Sequence, residues 1–261
     1  MNSRVRRVWS PLLYLTFLGY ALVYLPLILV MILSFNSSDA NLFPFQRLSL
    51  RWYGVMFSDD QMMAALRNSL LVGSATVVLA LGLGVSSALA LRRLNFRGKG
   101  VYQFIVLMPF ILPEITTGLA LLSLFILLGI QLSLITVIIG HTVYTLAIAH
   151  RVVAARLLQV PHNLEEASSD LGAGWWRTLF LVTLPSIRTA VITAGLLVFA
   201  VSFDETAITV MVTGGDNTLP MIIWGMMRRG FTPEVNAVAT LVFIVSLFVM
   251  TLVGLLQRPQ D

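Results

Sequence analysis

Apolar residues run for roughly 20 positions at a time, near 11–34, 68–91, 101–127, 134–153, 190–212 and 236–256, about the length a helix needs to cross the hydrocarbon of a bilayer. Polar residues collect between these runs, most extensively over 35–67 and 154–189. The pattern predicts an all-α polytopic membrane protein of six transmembrane helices, forming a single transmembrane domain over 1–261. The first run follows Arg4, Arg6 and Arg7, as the core of a signal peptide would. It is too long for such a core, and no small-x-small cleavage site follows, so it is expected to remain as the first span.

Composition agrees with the pattern. With 57% hydrophobic and 11% charged residues and a mean hydropathy of +0.88, a soluble domain is excluded. The net charge of +5 does not form a nucleic-acid surface, because the basic residues sit in short segments between spans. Of the 17 Lys and Arg, one side of the membrane would hold Arg4, Arg6, Arg7, Arg92, Arg93, Arg97, Lys99, Arg151, Arg156, Arg177, Arg188 and Arg258. The other would hold Arg47, Arg51, Arg67, Arg228 and Arg229. The positive-inside rule then predicts that both termini and the 154–189 segment are cytoplasmic.

Catalytic chemistry finds little support. There is no cysteine, and His141, His150 and His162 lack the close helical spacing of a metal pair. No phosphate-binding Gly-rich loop, Ser nucleophile elbow or His-Glu-x-x-His helix occurs. Gly214-Gly215-Asp216-Asn217 reads as a turn, and His141 as a satisfied buried histidine. Trp52, Tyr53, Trp224 and Phe231 are expected to be interface anchors.

The segment 161–185 has a more specific design. Pro161 ends one helix, Asn163 is a good N-cap, and Glu166 falls at N3, so a helix of about two turns should start at Leu164. Leu164, Ala167, Ser168 and Leu171 share one face of it. Gly172 and Gly174 permit the left-handed backbone that turns the chain. Trp175, Trp176, Leu179 and Phe180 then begin an interfacial helix, which Pro185 separates from the next span. From the residues alone, this hairpin either rests on lipid headgroups or docks a partner.

Three acids fall within apolar runs: Glu114, after Pro109 and Pro113, and the adjacent pair Asp204 and Glu205. A charge at membrane depth is costly unless paired or wetted, so such residues tend to line pathways. The two prolines should kink the third span. A path of this kind would suit a linear polycation. Alternatively, Asp204 and Glu205 occupy a polar bend or pair with Arg228 or Arg229.

The order Glu166-Ala167-Ser168, then Gly172, then Leu184-Pro185 resembles the "EAA" signature of permease subunits of bacterial ATP-binding-cassette (ABC) importers. Leu50 to Tyr53, Arg97-Gly-Lys99, Ser202 to Glu205, Thr218-Leu-Pro220 and Pro233 to Thr240 extend the similarity to the polyamine (spermidine/putrescine) branch, second-permease type. That family usually has Ala where Ser168 stands. The resemblance implies a type I importer fold with a coupling helix at 164–171. Glu165, Glu166, Ala167, Asp170 and Gly172 would dock an ATPase, and Glu114, Asp204 and Glu205 would line the substrate path. It implies no cofactor on this chain, with ATP and Mg on the partner. The implied partners are a homologous permease forming a heterodimer, two ATPase subunits, a periplasmic substrate-binding protein and lipid, in a bacterial inner membrane. An opine, amino-acid derivative, thiamine or ferric ion is an alternative cargo. A secondary transporter or an intramembrane enzyme is a different class of reading.

Overall fold

The computed structural model describes residues 3–38, 47–161, 163–230 and 232–256. These form thirteen α-helices and one π-helical turn, with no strand among the described residues. Two compact units arise: Met1–Met63 with Ile223–Ile244, and Ala64–Ile222 with Val245–Asp261.

In the first unit, α1 (Ser3–Ser34) is apolar and exposed along its middle, with Tyr14, Phe17 and Leu22 each more than 70% accessible, as a lipid-facing helix should be. An antiparallel bridge joins Asn36 to Leu48 and leads to α2 (Arg51–Ser58). Trp52 is not an interface anchor. It is buried, and its indole Nε1 donates to the Asn36 carbonyl at 2.9 Å. The Tyr53 hydroxyl shares a 2.7 Å hydrogen bond with Ser34 Oγ. Trp224 fits the expectation better, being exposed with the Arg228 guanidinium 3.7 Å from its ring centroid. Phe231 and His162 lie outside the described residues. Asp59 starts the next helix, its Oδ1 accepting from the Gln61 and Met62 amides at 2.8 and 3.1 Å.

The second unit contains most of α3 (Asp60–Arg93), then α4 (Lys99–Ile111), α5 (Glu114–Leu127) and α6 (Leu134–Leu157). Next come α7 (Asn163–Asp170), α8 (Trp175–Thr178), the π turn Leu179–Thr183, α9 (Leu184–Ser186), α10 (Arg188–Asp204) and α11 (Ala207–Val212). Like α3, two further helices, α12 (Leu219–Arg229) and α13 (Pro233–Leu256), have residues in both units.

Among the described residues four helices are long and apolar enough to cross a membrane, and the spans number up to 6 if each of two bent pairs is one span. The bends sharpen two expectations. The third span does not merely kink: α4 continues through Pro109, and the chain then turns by 107° between α4 and α5. Leu112, at φ −75° and ψ 149°, is extended because the Pro113 ring disfavours helical backbone in the residue before it. The fifth span is interrupted twice. A bend of 70° separates Trp175–Ser186 from α10, and Glu205 is extended between α10 and α11. Pro185 lies inside α9, so the first of these bends falls at Ile187 and not at the proline.

Helices approach closely where side chains are small, as lipid-embedded packing favours. A Cβ on Gly84 would lie 2.6 Å from the Ala149 Cβ, and one on Gly140 would meet Ile208 at 2.8 Å. These contacts set α6 against α3 and α11. Val72, Phe125, Val137, Tyr144, Ile208 and Val212 form one core, and Ala88, Val153, Leu157, Ile187 and Ala194 belong to a second.

Candidate functional site

The hairpin begins with α7, which buries Ser168 alone of its expected apolar face. Leu164 and Leu171 are exposed, Leu171 to 89%. The helix ends in a Schellman motif: the Gly172 amide donates to the Ser169 carbonyl at 2.9 Å, and the Ala173 amide to the Ser168 carbonyl at 3.1 Å. Gly172 takes φ +80°, a backbone that favours glycine. Gly174 does not share it. At φ −68° it is the extended residue preceding α8.

Side chains close the hairpin. The Ser168 and Thr178 hydroxyls share a 2.9 Å hydrogen bond, so the serine standing where the family usually has alanine ties α7 to α8. Glu165 faces inward. Its Oε1 accepts from Thr183 Oγ1 at 3.0 Å and lies 3.1 Å from Arg93 Nη2, which also donates to Thr183 Oγ1 at 3.0 Å. Partial burial pushes the Glu165 carboxyl up, but the Arg93 and Thr183 hydrogen bonds and the charges of Arg93 and Arg92 outweigh it and hold the group below its ordinary value. Arg92 caps the end of α6, donating to the Leu157 and Val160 carbonyls at 2.5 and 2.9 Å. Glu166, Ala167, Asp170 and Gly172 are exposed, and a Cβ on Gly172 would meet nothing within 4 Å. The predicted docking set therefore divides, with four residues presented outward and Glu165 engaged inside the chain.

Within the membrane, the breaks in the spans place the acids. Glu114 opens α5 and accepts a 2.7 Å hydrogen bond from the Tyr144 hydroxyl on α6. Asp204 closes α10, is exposed, and lies within electrostatic reach of both Glu114 and Glu205. Glu205 is 5% exposed. Its carboxylate accepts from the Ile208 and Thr209 amides at 2.8 and 3.1 Å, capping α11, and lies 3.1 Å from His141 Nε2. His141 is itself buried, with Nδ1 2.8 Å from Ser202 Oγ and Nε2 2.8 Å from Thr209 Oγ1, matching the expected satisfied histidine. The structure thus groups all three acids but leaves Glu114 and Asp204 exposed while Glu205 is occupied. Sequence reasoning missed Tyr144, Thr183 and the pairing role of Arg93. A tandem Arg92-Arg93 at the end of a span was the available signal for the last.

This geometry belongs to a known class of membrane subunit. Residues 80–259 match the family of binding-protein-dependent transport system inner membrane components, and the chain belongs to that family. It is 36% identical over 246 residues to the putrescine transport system permease protein PotI of Escherichia coli K12, covering 91% of this chain and 86% of that protein. It is 32% identical over 242 residues to the spermidine/putrescine transport system permease protein PotC of the same strain, covering 92% and 91%. A solved bacterial ABC transporter involved in import of the acidic polysaccharide alginate contains a chain matching it with a TM-score of 0.75, at 18% identity over 99% of both chains. The all-α type I importer fold expected from the sequence holds, and the chain is an inner-membrane permease subunit of an ABC importer.

Proposed function

We propose that this subunit forms half of an ATP-driven path that imports a polyamine, pairing with a homologous permease. The observation that carries the reading is the pair of exposed acids, Glu114 and Asp204, at the breaks of two spans. A carboxylate left open in a span is retained at a cost of about 3 kcal/mol on insertion scales, and two of them offer separate partners for two ammonium groups. The naming of relatives for putrescine and spermidine transport points the same way. In this reading both termini and the hairpin face the cytoplasm, which the Lys and Arg bias of the sequence supports. There Glu166, Ala167, Asp170 and Gly172 receive one of two ATPase subunits that bind ATP and Mg, while Glu165 holds the hairpin from within. A periplasmic binding protein delivers the cargo to the opposite face, and closure of the ATPases rocks the helices around the path.

The test is ATP hydrolysis by the natively co-purified complex in lipid, with binding protein loaded by spermidine, putrescine or an unrelated ligand. Stimulation by a loaded polyamine is expected. Stimulation only by another ligand, such as an opine or ferric ion, overturns the cargo, and absence of a co-purifying ATPase overturns the docking role.

A further inference from the structure

Among the described residues of the second unit, α3 carries side-chain hydrogen bonds both to the hairpin and to the segment that enters α12. At one end Arg92 holds the carbonyls that finish α6, and Arg93 holds Glu165 of α7 and Thr183 of the π turn. Toward the other, about two turns inside its start, Asn68 Nδ2 donates to the Asn217 carbonyl at 2.9 Å, and the buried Ser69 Oγ accepts from the Leu219 amide at 2.9 Å. The intervening residues form one uninterrupted helix, spanning roughly 35 Å at the helical rise. A continuous α-helix is stiff along its axis, whereas α10 is separated from the hairpin by a 70° bend and a π turn.

We propose that α3 is a mechanical link between the two faces of the permease. Arg93 is its positioning residue, fastening the hairpin to the helix through Glu165 and Thr183 so that both move as one body, while Asn68 and Ser69 carry that movement to Asn217 and the start of α12. The proposal rests on the reading of the hairpin as the ATPase-docking element. The closed triangle of Arg93, Glu165 and Thr183 suits the task. A single salt bridge between exposed chains is worth little, but three mutually bonded, partly buried groups fix both direction and distance. The surface acids Glu166 and Asp170 of the same helix remain free for a partner.

The test is the ratio of ATPase activity with and without loaded binding protein, measured on the co-purified complex in lipid. A pair that only stabilised the fold would lower yield and leave this ratio unchanged. Arg93→Ala and Glu165→Gln are each expected to lower the ratio about ten-fold, within the usual range of coupling between sites, and the double variant should be no worse than either single one. Arg93→Lys, which keeps the charge but loses the guanidinium fork, should retain an intermediate ratio and covers the case in which Arg93→Ala does not assemble. Asn68→Ala with Ser69→Ala should lower the ratio in the same direction. The link is overturned if wild-type complex is stimulated and the Arg93 variants are stimulated equally, if the two single losses multiply in the double variant, or if the Asn68 and Ser69 replacements leave the ratio intact. Wild-type complex without a co-purifying ATPase instead overturns the docking reading beneath it.

Discussion

The hairpin and the acid cluster both carry three or more carboxylates, yet an unpaired acid has a different meaning in each. In the hairpin, Glu166 and Asp170 are exposed outside the spans, where hydration is cheap and an open carboxylate by itself says little. The informative residue there is the paired one, Glu165, because the Arg93 contact shows where the helix is fixed. In the spans the weighting reverses. Glu205 is fully engaged by His141 and two backbone amides and reads as a helix cap. Asp204 is exposed, with no side-chain partner among the described residues, so it is the one that needs a function. Solvent decides which half of the ion-pair inventory carries mechanism.

The comparison breaks most sharply at Gly172. Its φ of +80° strains any side chain, and the open space around its Cα is the space a docked subunit would take. Gly172→Asp is expected to abolish uptake while the protein remains in the membrane at normal level, measured by transport assay with immunodetection of the subunit. Normal uptake by that variant removes the docking role from the hairpin.

Next in size is the buried partner of the acid cluster. Glu205→Ala leaves the α11 amides uncapped and removes the carboxylate beside His141. Leaving buried donors such as these without their acceptor costs about 1–3 kcal/mol each. A pronounced fall in the thermal midpoint of the purified protein is therefore expected. Unchanged stability with weakened cargo selectivity would move Glu205 into the path instead.

Much of this division was legible in the residues, and the illegible part has a physical cause. Span number follows from local run length, and the end of α4 near Pro113 follows from proline's effect on the preceding residue. The Gly172 turn follows from the termination signal of a short helix. Three features depend on where distant segments come to rest. Glu165 and Glu166 are neighbours in sequence with the same chemistry, and only the arrival of Arg93 from the end of α3 distinguishes them. Glu205 is separated from Asp204 in role by His141 of α6. Trp52 became a buried donor because Asn36 presents it a carbonyl, which no periodicity encodes.

Among the open acids the effect should be smaller and kinetic. Glu114→Gln keeps an acceptor for the Tyr144 hydroxyl and removes only charge, so stability should hold while the KM for a polyamine rises by about ten-fold, one charge-assisted contact of roughly 1.4 kcal/mol. Asp204→Asn, which loses no side-chain contact among the described residues, should do the same. Unchanged KM and rate in both variants, measured by uptake in proteoliposomes, would leave the membrane half of the comparison without a path.

The smallest effect separates the two regions by pH. Glu165 has its carboxyl held below the ordinary value of 4.5 by Arg93 and Thr183 despite partial burial. A depressed folded-state value means the native hairpin binds the proton less readily than the unfolded chain does. Its contribution is therefore complete above the ordinary value and is lost as pH falls through the lower, folded one. Hydrogen-exchange protection of the α7 amides, corrected for intrinsic rate, should stay level from neutral pH down to about 5 and decline below the ordinary glutamate range. Glu165→Gln should remove that decline, because an amide has no proton to gain and Arg93 loses its charged partner at every pH. A decline that persists in Glu165→Gln would assign it to other carboxylates, and the inward-facing acid would no longer be what fixes the hairpin.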